Sequence, residues 1–221
     1  RALPPLMGPD TTVVTLQNGM GNAEEIARII PAERIYVGLC FICAMREKPG
    51  HVNHLEGGNI QFAPFIPTPE GTEKARELSE LFANAGIKTR AFDAAEQIQW
   101  YKLVWNIPFN GLCLALGGIS IAELYQNPEN VVRARRIMEE VVQAARARGY
   151  ALPEDLVEFH LSRTETMGAF IPSSAVDYNE GRPVEYTAIW GDPLSKARQA
   201  GASVPEWELL DKAIRKRLNM N

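Results

Sequence analysis

Residues Gln99 to Leu112, QWYKLVWNIPFNGL, set one cation and two amides, Lys102, Asn106 and Asn110, in otherwise bulky apolar company. On a helix, each step of four residues advances about 400°, a net drift of about 40°, so the three side chains form one polar stripe. Around that stripe Trp100, Leu103, Val104, Trp105, Ile107, Phe109 and Leu112 leave almost no polar side, the pattern of a helix buried all round. Pro108 removes one helical hydrogen bond and crowds the carbonyl of Val104, which predicts a kink and a freed carbonyl in need of a donor. A lone Lys here would read as a side chain snorkelling to the surface, and a lone Asn as a partner for a stray backbone group. Three polar residues on one stripe read as a candidate site.

The chain has 221 residues, 46% of them hydrophobic and 23% charged, enough for one large or two small domains with a real core. A net charge of −4 lacks the basic footprint that nucleic acid or an anionic membrane surface requires, and neither partner is expected. No apolar run approaches the roughly 20 residues of a membrane helix, and RALPPLMGPD lacks the order of a signal peptide, which favours the cytoplasm. The cysteines Cys40, Cys43 and Cys113 fit a reducing compartment better than a disulfide framework. A first residue Arg1, with no initiator Met, fits a piece excised from something longer.

Thr11 to Gln17 is short and β-branched and reads as a strand, followed by a turn and a helix over Gly21 to Ile30, with Asn22 a plausible N-cap and Pro31 the stop. Gly19-Met20-Gly21 in that turn invites a dinucleotide-binding reading, but the third glycine position is Glu24, whose charge opposes a pyrophosphate. A structural βα turn is the better reading. Asn18, at the carboxyl end of the strand, stands where α/β ligands sit, although Asn-Gly is also an ordinary turn pair. Ile35 to Met45 reads as a strand buried on both faces; its Cys40 and Cys43 point to opposite faces, which suits core cysteines and not zinc. His51 to Glu56 and Asn59 to Ala63 read as antiparallel strands between Pro49-Gly50 and Gly57-Gly58 turns, with His51 and His54 on the surface. A helix from Pro69 to about Ala85, with Ala75, Leu78, Leu81 and Phe82 inward, and a strand over Ile87 to Phe92 complete an α/β half. At Asp93 the composition turns helical, so the domains are read as 1–92 and 93–221.

The second half opens with the Lys102 helix, interrupted at Gly117-Gly118. Ser120 caps a short helix to Gln126, and Asn127-Pro128 starts a long one to Arg148, with Val131, Val132, Ile137, Met138, Val141, Val142 and Ala145 inward and its arginines on a solvated face. A helix from Pro153 to about Met167 carries His160, read as structural. FIPSSAVDYNEGRPVEYTAIWG, Phe170 to Gly191, sets Ser173, Ser174 and Asp177 around one helix start and Glu185 at another, after a break at Gly181-Arg182-Pro183. Taken singly, Ser173 is an N-cap and Glu185 a first-turn acid facing a helix dipole. Pro205 to Arg217 is a last amphipathic helix.

Lys102-x3-Asn106-x3-Asn110 and Ser173-x3-Asp177-x7-Glu185, followed by Ile189 and Gly191, together resemble the two helical-domain signatures of the ketopantoate reductase family, and Gln17 to Gly21 resembles a third, from the end of its cofactor domain. The resemblance covers nearly the whole chain. It implies the later part of a Rossmann-type domain followed by a helical substrate-binding and catalytic domain, and NADPH-dependent (NADP) reduction of a 2-oxo acid, such as ketopantoate to pantoate in pantothenate and coenzyme A biosynthesis. It also implies roles: Lys102 as general acid, Glu185 as catalytic partner on the substrate's hydroxyl side, Asn106, Asn110 and Ser173 as substrate-binding donors, and Asn18 near the nicotinamide. No metal is implied, and a homodimer stays open. Family members begin with a Gly-x-Gly-x-x-Gly strand-turn-helix that has no counterpart here, so the chain as given is expected to be a later part of a reductase that binds NADPH poorly. Two other readings stay open: a reductase of a different 2-oxo acid, and a non-catalytic helical interaction or dimerisation module that keeps the stripe as buried structure.

Overall fold

The apolar run that begins at Ile35 lies at the centre of a four-stranded sheet in a computed structural model, which describes residues 3–220 apart from the side chains of residues 45, 46, 55 and 56. The strands are β1 (Val13–Thr15), β2 (Ile35–Lys48), β3 (His51–Pro64) and β4 (Lys88–Ala91), in the order β1-β2-β3-β4. β1 runs parallel to β2 with Val13 opposite Ile35, β3 antiparallel to β2 with Leu39 opposite Gln61, and β4 parallel to β3 with Phe62 opposite Ala91. Alternation along β2 loads both faces. Ile35, Val37 and Leu39 pack with Ala23 of α1 (Asn22–Ala27), whereas Tyr36 packs on the opposite face with Phe62 and with Ala75 of α2 (Pro69–Asn84). This layered α/β unit spans Arg1–Gln99, and a helical unit spans Trp100–Asn221.

Several local readings need correction. Only the start of β2 is buried on both faces. Because β1 pairs with no residue beyond Val37 and β4 with none before Asn59, the far half of the β2–β3 hairpin is a two-stranded ribbon with no further strand alongside among the described residues. Ile42 is accordingly 52% exposed, and Cys40 and Cys43 are half-buried, not core residues. Gly57-Gly58 is not a turn: β3 is one strand, and Gly58 is the extra residue between the pairs Phe41–Asn59 and Ile42–Gly57, a β-bulge. Glycine is required there, since Gly57 has φ 82° and a Cβ on it would stand 2.4 Å from the Phe41 carbonyl oxygen. His51 and His54 are exposed, with His51 Nδ1 2.9 Å from Glu47 Oε2. On α2, Thr68 accepts the N–H of Gly71 as N-cap, but Leu81 faces solvent. α1 ends at Ala27, and its cap is Gly21 with φ 86°; Asn22 is instead inside the helix, and its side chain donates back to the Asn18 carbonyl at 2.9 Å.

The helical unit is built around α3 (Ala95–Ala115), which runs through Pro108 without interruption. Around it follow α4 (Ile121–Tyr125), α5 (Pro128–Ala147), α6 (Leu156–Glu165), α7 (Ser173–Asn179), a π-helical turn (Thr187–Gly191) continuing into α8 (Asp192–Gln199), and α9 (Pro205–Arg217). Local chemistry sets the starts: Ser120 and Glu123 form a reciprocal capping box on α4, and the Asn127 side chain accepts the N–H of Glu129 on α5. α5 buries Ala134, Ile137, Met138, Val141, Ala144 and Ala145, while Val132, read as inward, is 40% exposed because it lies off that face. Trp100 meets Trp207 edge-on at 6.5 Å, and Phe109 stacks on Tyr125 at 6.4 Å. Among the described residues no helix is long and apolar enough to cross a membrane.

Candidate active site

α3 fixes the polar stripe because its other sides are locked in the core. Trp100, Leu103, Val104, Ile107, Phe109, Leu112, Cys113 and Leu114 are all within 1% of full burial. Along the stripe burial deepens: Lys102 is half-buried, Asn106 is 6% exposed and Asn110 2% exposed. The stripe is therefore open at the cation and closed at the second amide.

Asn110 is oriented by α7. Its Oδ1 accepts the backbone N–H of Ser174 at 3.1 Å and the Ser173 hydroxyl at 3.4 Å. Ser173 is thus the first residue of α7 and not its cap; Pro172 holds the cap position without a side-chain bond, and the amide of Asn110 supplies the acceptor from another helix. With the oxygen committed to α7, the amide NH2 of Asn110 is the end left for other partners. The far end of α7 is held too, by Asn179 Nδ2 donating to the Gly118 carbonyl at 2.8 Å. Asn106 differs, because its side chain makes no hydrogen bond to another described residue. Its amide is not among the fully enclosed polar groups that lack a partner, so in a mostly buried residue it keeps access to the outside and suits a ligand.

Glu185 is exposed and stands just before the π-helical turn; its carbonyl accepts the N–H of Ile189 at 3.1 Å. The turn is tied to α3, since the buried Trp190 indole donates to the Ile107 carbonyl at 3.0 Å. That contact lies in the turn of α3 between Asn106 and Asn110, and so holds the segment after Glu185 at the level of the stripe. π-helical turns recur at functional sites, where their extra residue re-aims neighbouring side chains.

Behind the Lys102 turn lies α6. Trp105 Nε1 donates to Thr164 Oγ1 at 2.8 Å, which in turn donates to the His160 carbonyl at 2.6 Å. The His160 ring meets Tyr101 edge-on at 5.9 Å, is 7% exposed, and among the described residues has no partner for Nε2. Burial, together with the nearby Arg163 charge, pushes its pKa down to about 4 despite a hydrogen bond with the Tyr101 backbone, so it is a neutral imidazole at physiological pH. Cys113, also on α3, has its thiol pushed up to about 12 by burial and is inert as a nucleophile.

In the first unit Asn18 is half-buried in the turn after β1. Gly19 and Gly21 adopt φ 79° and 86° there, and Gln99 Nε2 donates to the Gly19 carbonyl at 3.0 Å. A nicotinamide cofactor fits this turn only in part. Asn18 offers an amide beside a strand end, but α1 carries Glu24 and Glu25 in its first turn, which oppose phosphate. Among the described residues no group of His, Cys, Asp and Glu side chains could hold a metal ion.

Two features escaped the sequence reading. Tyr186 donates its hydroxyl to Asp211 Oδ1 of α9 at 2.6 Å, and Glu140 of α5 accepts the N–H groups of Glu206 and Trp207 at 3.0 and 2.8 Å, capping α9 from outside. Both depend on pairings across helices, for which spacing along one helix carries no signal.

Residues 94–217 match the family model described as the ketopantoate reductase PanE/ApbA C terminal, and residues 1–67 match ketopantoate reductase PanE/ApbA. Over 209 residues the chain is 35% identical to a 2-dehydropantoate 2-reductase of Nostoc sp., covering 93% of this chain and 65% of that protein. The chain thus spans slightly less than two thirds of that relative's length. Among solved structures it resembles 2-dehydropantoate 2-reductase from Geobacter metallireducens, with TM-score 0.90 and 38% identity over 96% of this chain and 70% of that one. It also resembles D-mandelate dehydrogenase in complex with NADH, with TM-score 0.84 and 25% identity over 98% and 74% of the two chains.

Proposed function

The chain belongs to the ketopantoate reductase family, and from that premise we propose that it carries the substrate side of an NADPH-dependent reductase that converts 2-dehydropantoate (ketopantoate) to pantoate, a step of pantothenate and coenzyme A synthesis. In this reading residues 93–221 bind substrate and perform the proton chemistry, and residues 1–92 are the later part of the cofactor domain. The observation that supports it most is the stripe itself: a half-buried lysine followed by one amide that bonds no other described residue and one whose oxygen is already committed.

A reduced nicotinamide, when bound, supplies the hydride. The chain's own residues manage the charge that develops on the carbonyl oxygen. Lys102 faces that oxygen as an ammonium, stabilising the negative charge and delivering the proton that makes the 2-hydroxyl. Asn106 and the NH2 of Asn110 donate to the carboxylate, and the Ser173 oxygen, whose proton is directed at Asn110 Oδ1, accepts from the distal hydroxyl. Neutral donors suit that task beside a lysine, because further cations would compete for the same anion. Glu185 accepts from the substrate's hydroxyl side, and the role of Asn18 is to bind the nicotinamide. The similarity to D-mandelate dehydrogenase favours a second substrate reading, an aryl-substituted 2-oxo acid handled by the same donors.

The test is nicotinamide fluorescence and NADPH oxidation by the complete gene product, with ketopantoate and with benzoylformate. Binding and turnover with ketopantoate is the expected result. Turnover with benzoylformate alone would move the substrate assignment, and neither binding nor turnover would leave a non-catalytic interaction module.

A further inference from the structure

We propose that Asp211 is a positioning residue for Glu185, acting through Tyr186: the Tyr186–Asp211 hydrogen bond anchors the start of the π-helical turn to α9, as the Trp190–Ile107 bond anchors its end to α3. The inference rests on the reading of Glu185 as a substrate partner.

Glu185 follows the break at Gly181-Arg182-Pro183 and precedes the first helical residue, Tyr186. Its side chain is exposed, and the course of its backbone fixes where that side chain starts from. That backbone enters a π-helical turn, which is wider and less stable than an α-helical one and needs support from outside. Tyr186 and Trp190 provide the support at either end, and their rings lie 6.4 Å apart and tilted, so the two anchors also brace each other.

The Tyr186 anchor is directional. Its hydroxyl donates to Asp211 Oδ1 at 2.6 Å and also engages the Arg215 side chain, one helical turn further along α9. Asp211 is 8% exposed. A carboxylate at that depth is a poor choice for packing alone, since an apolar residue of similar size would avoid the desolvation penalty. Its use is to fix one hydroxyl in one direction, and that hydroxyl belongs to the neighbour of Glu185.

The experiment uses the complete gene product and the variants Tyr186→Phe, Asp211→Leu, Asp211→Asn and Glu185→Gln, alone and combined. Tyr186→Phe and Asp211→Leu should each lower kcat by about tenfold to a hundredfold, the scale of a misplacement of about 1 Å. Asp211→Asn, whose amide oxygen still accepts from the hydroxyl, should retain most of the turnover. Adding Tyr186→Phe to Glu185→Gln should cause no further loss, because the tether acts only through Glu185. Deuterium exchange over 185–191 should quicken in Tyr186→Phe. Losses that multiply in the double variant, or variants that lower only Tm, overturn the proposal, as does unchanged exchange. Full turnover in Glu185→Gln alone would instead overturn the catalytic reading of Glu185, while the exchange result would still decide whether the tether holds the turn.

Discussion

The indole N–H of Trp190 donates to the carbonyl oxygen of Ile107 across 3.0 Å, between two residues with no exposed surface. The bond is possible because Gly111 stands beside it: a Cβ there would come within 2.9 Å of Trp190 Nε1, 2.7 Å of Leu210 and 3.1 Å of Ile214. One glycine inside a buried helix thus lets the π-helical turn and α9 approach the stripe. Mid-helix glycine costs about 1 kcal/mol relative to alanine, and this close approach is what offsets it.

Gly111→Ala should therefore destabilise the protein by about 1–3 kcal/mol through overpacking, although alanine is the better helix former. Trp190→Phe should lose about 1–3 kcal/mol by deleting the buried donor and part of the ring. Urea unfolding followed by tryptophan fluorescence and circular dichroism measures both. A stabilising Gly111→Ala would show that α9 and Trp190 do not press on that position.

Asn110 separates structure from binding. Asn110→Ala removes the acceptor for the Ser174 N–H and should cost about 1 kcal/mol of stability, the usual value of a lost helix cap. Asn110→Asp keeps an acceptor at the start of α7 but replaces the NH2 donor with a second oxygen. Its melting temperature should fall somewhat, because a carboxylate at that depth carries a desolvation penalty that the α7 N–H groups offset only in part, and it should lose affinity for the anionic substrate beyond Asn110→Ala, because a carboxylate now faces a carboxylate. Equal substrate KM in Asn110→Asp and the parent would remove Asn110 from the binding site.

His160 predicts an acid limit to stability. Its folded pKa of about 4 lies below the ordinary value of 6.5, so the unfolded chain takes up the proton first. The stability this burial supplies is complete above pH 6.5 and is lost as pH falls through that value toward 4, by about 3 kcal/mol. His160→Phe cannot titrate, and across that window its unfolding free energy should fall less than that of the parent. Parallel pH curves for the two proteins would mean that His160 is solvated in solution.

The elements and the stripe were legible in the sequence because they rest on local rules. β-Branched runs, Thr68, Ser120 and Asn127 at helix starts, and apolar residues on all sides of Lys102, Asn106 and Asn110 each carry their signal within a few residues. What was not legible depends on partners distant in the chain. Gly57-Gly58 has turn chemistry, and only the register with Phe41 makes it a bulge. Cys40 and Cys43 read as core residues because nothing along β2 says where its neighbouring strands end. Ser173 read as a cap for its own helix, whereas Asn110 caps it from α3. Glu140 carries no signal in its own stretch of sequence, yet it holds the start of α9 with both oxygens; burial raises its pKa against the pull of the Trp207 and Glu206 N–H groups.

Lys102 carries the chemical proposal, and two substitutions divide its roles. In Lys102→Ala the ammonium is gone, so both the charge opposite the developing alkoxide and the proton are lost; kcat should fall by about 10²–10⁴ in the complete gene product, with NADPH affinity unchanged. The fold should survive, because Lys102 is half-buried at the open end of the stripe and the apolar sides of α3 hold the core without it. Lys102→Arg keeps the charge but holds its proton far too tightly to give it up at neutral pH. If the lysine is the general acid, the arginine variant should retain substrate affinity within about tenfold and still lose most of its turnover. If it serves only as a fixed charge, arginine should restore a large part of the rate. Steady-state kinetics with ketopantoate, together with the pH dependence of kcat, distinguishes these outcomes, and near-normal turnover in Lys102→Ala would remove Lys102 from the chemistry altogether.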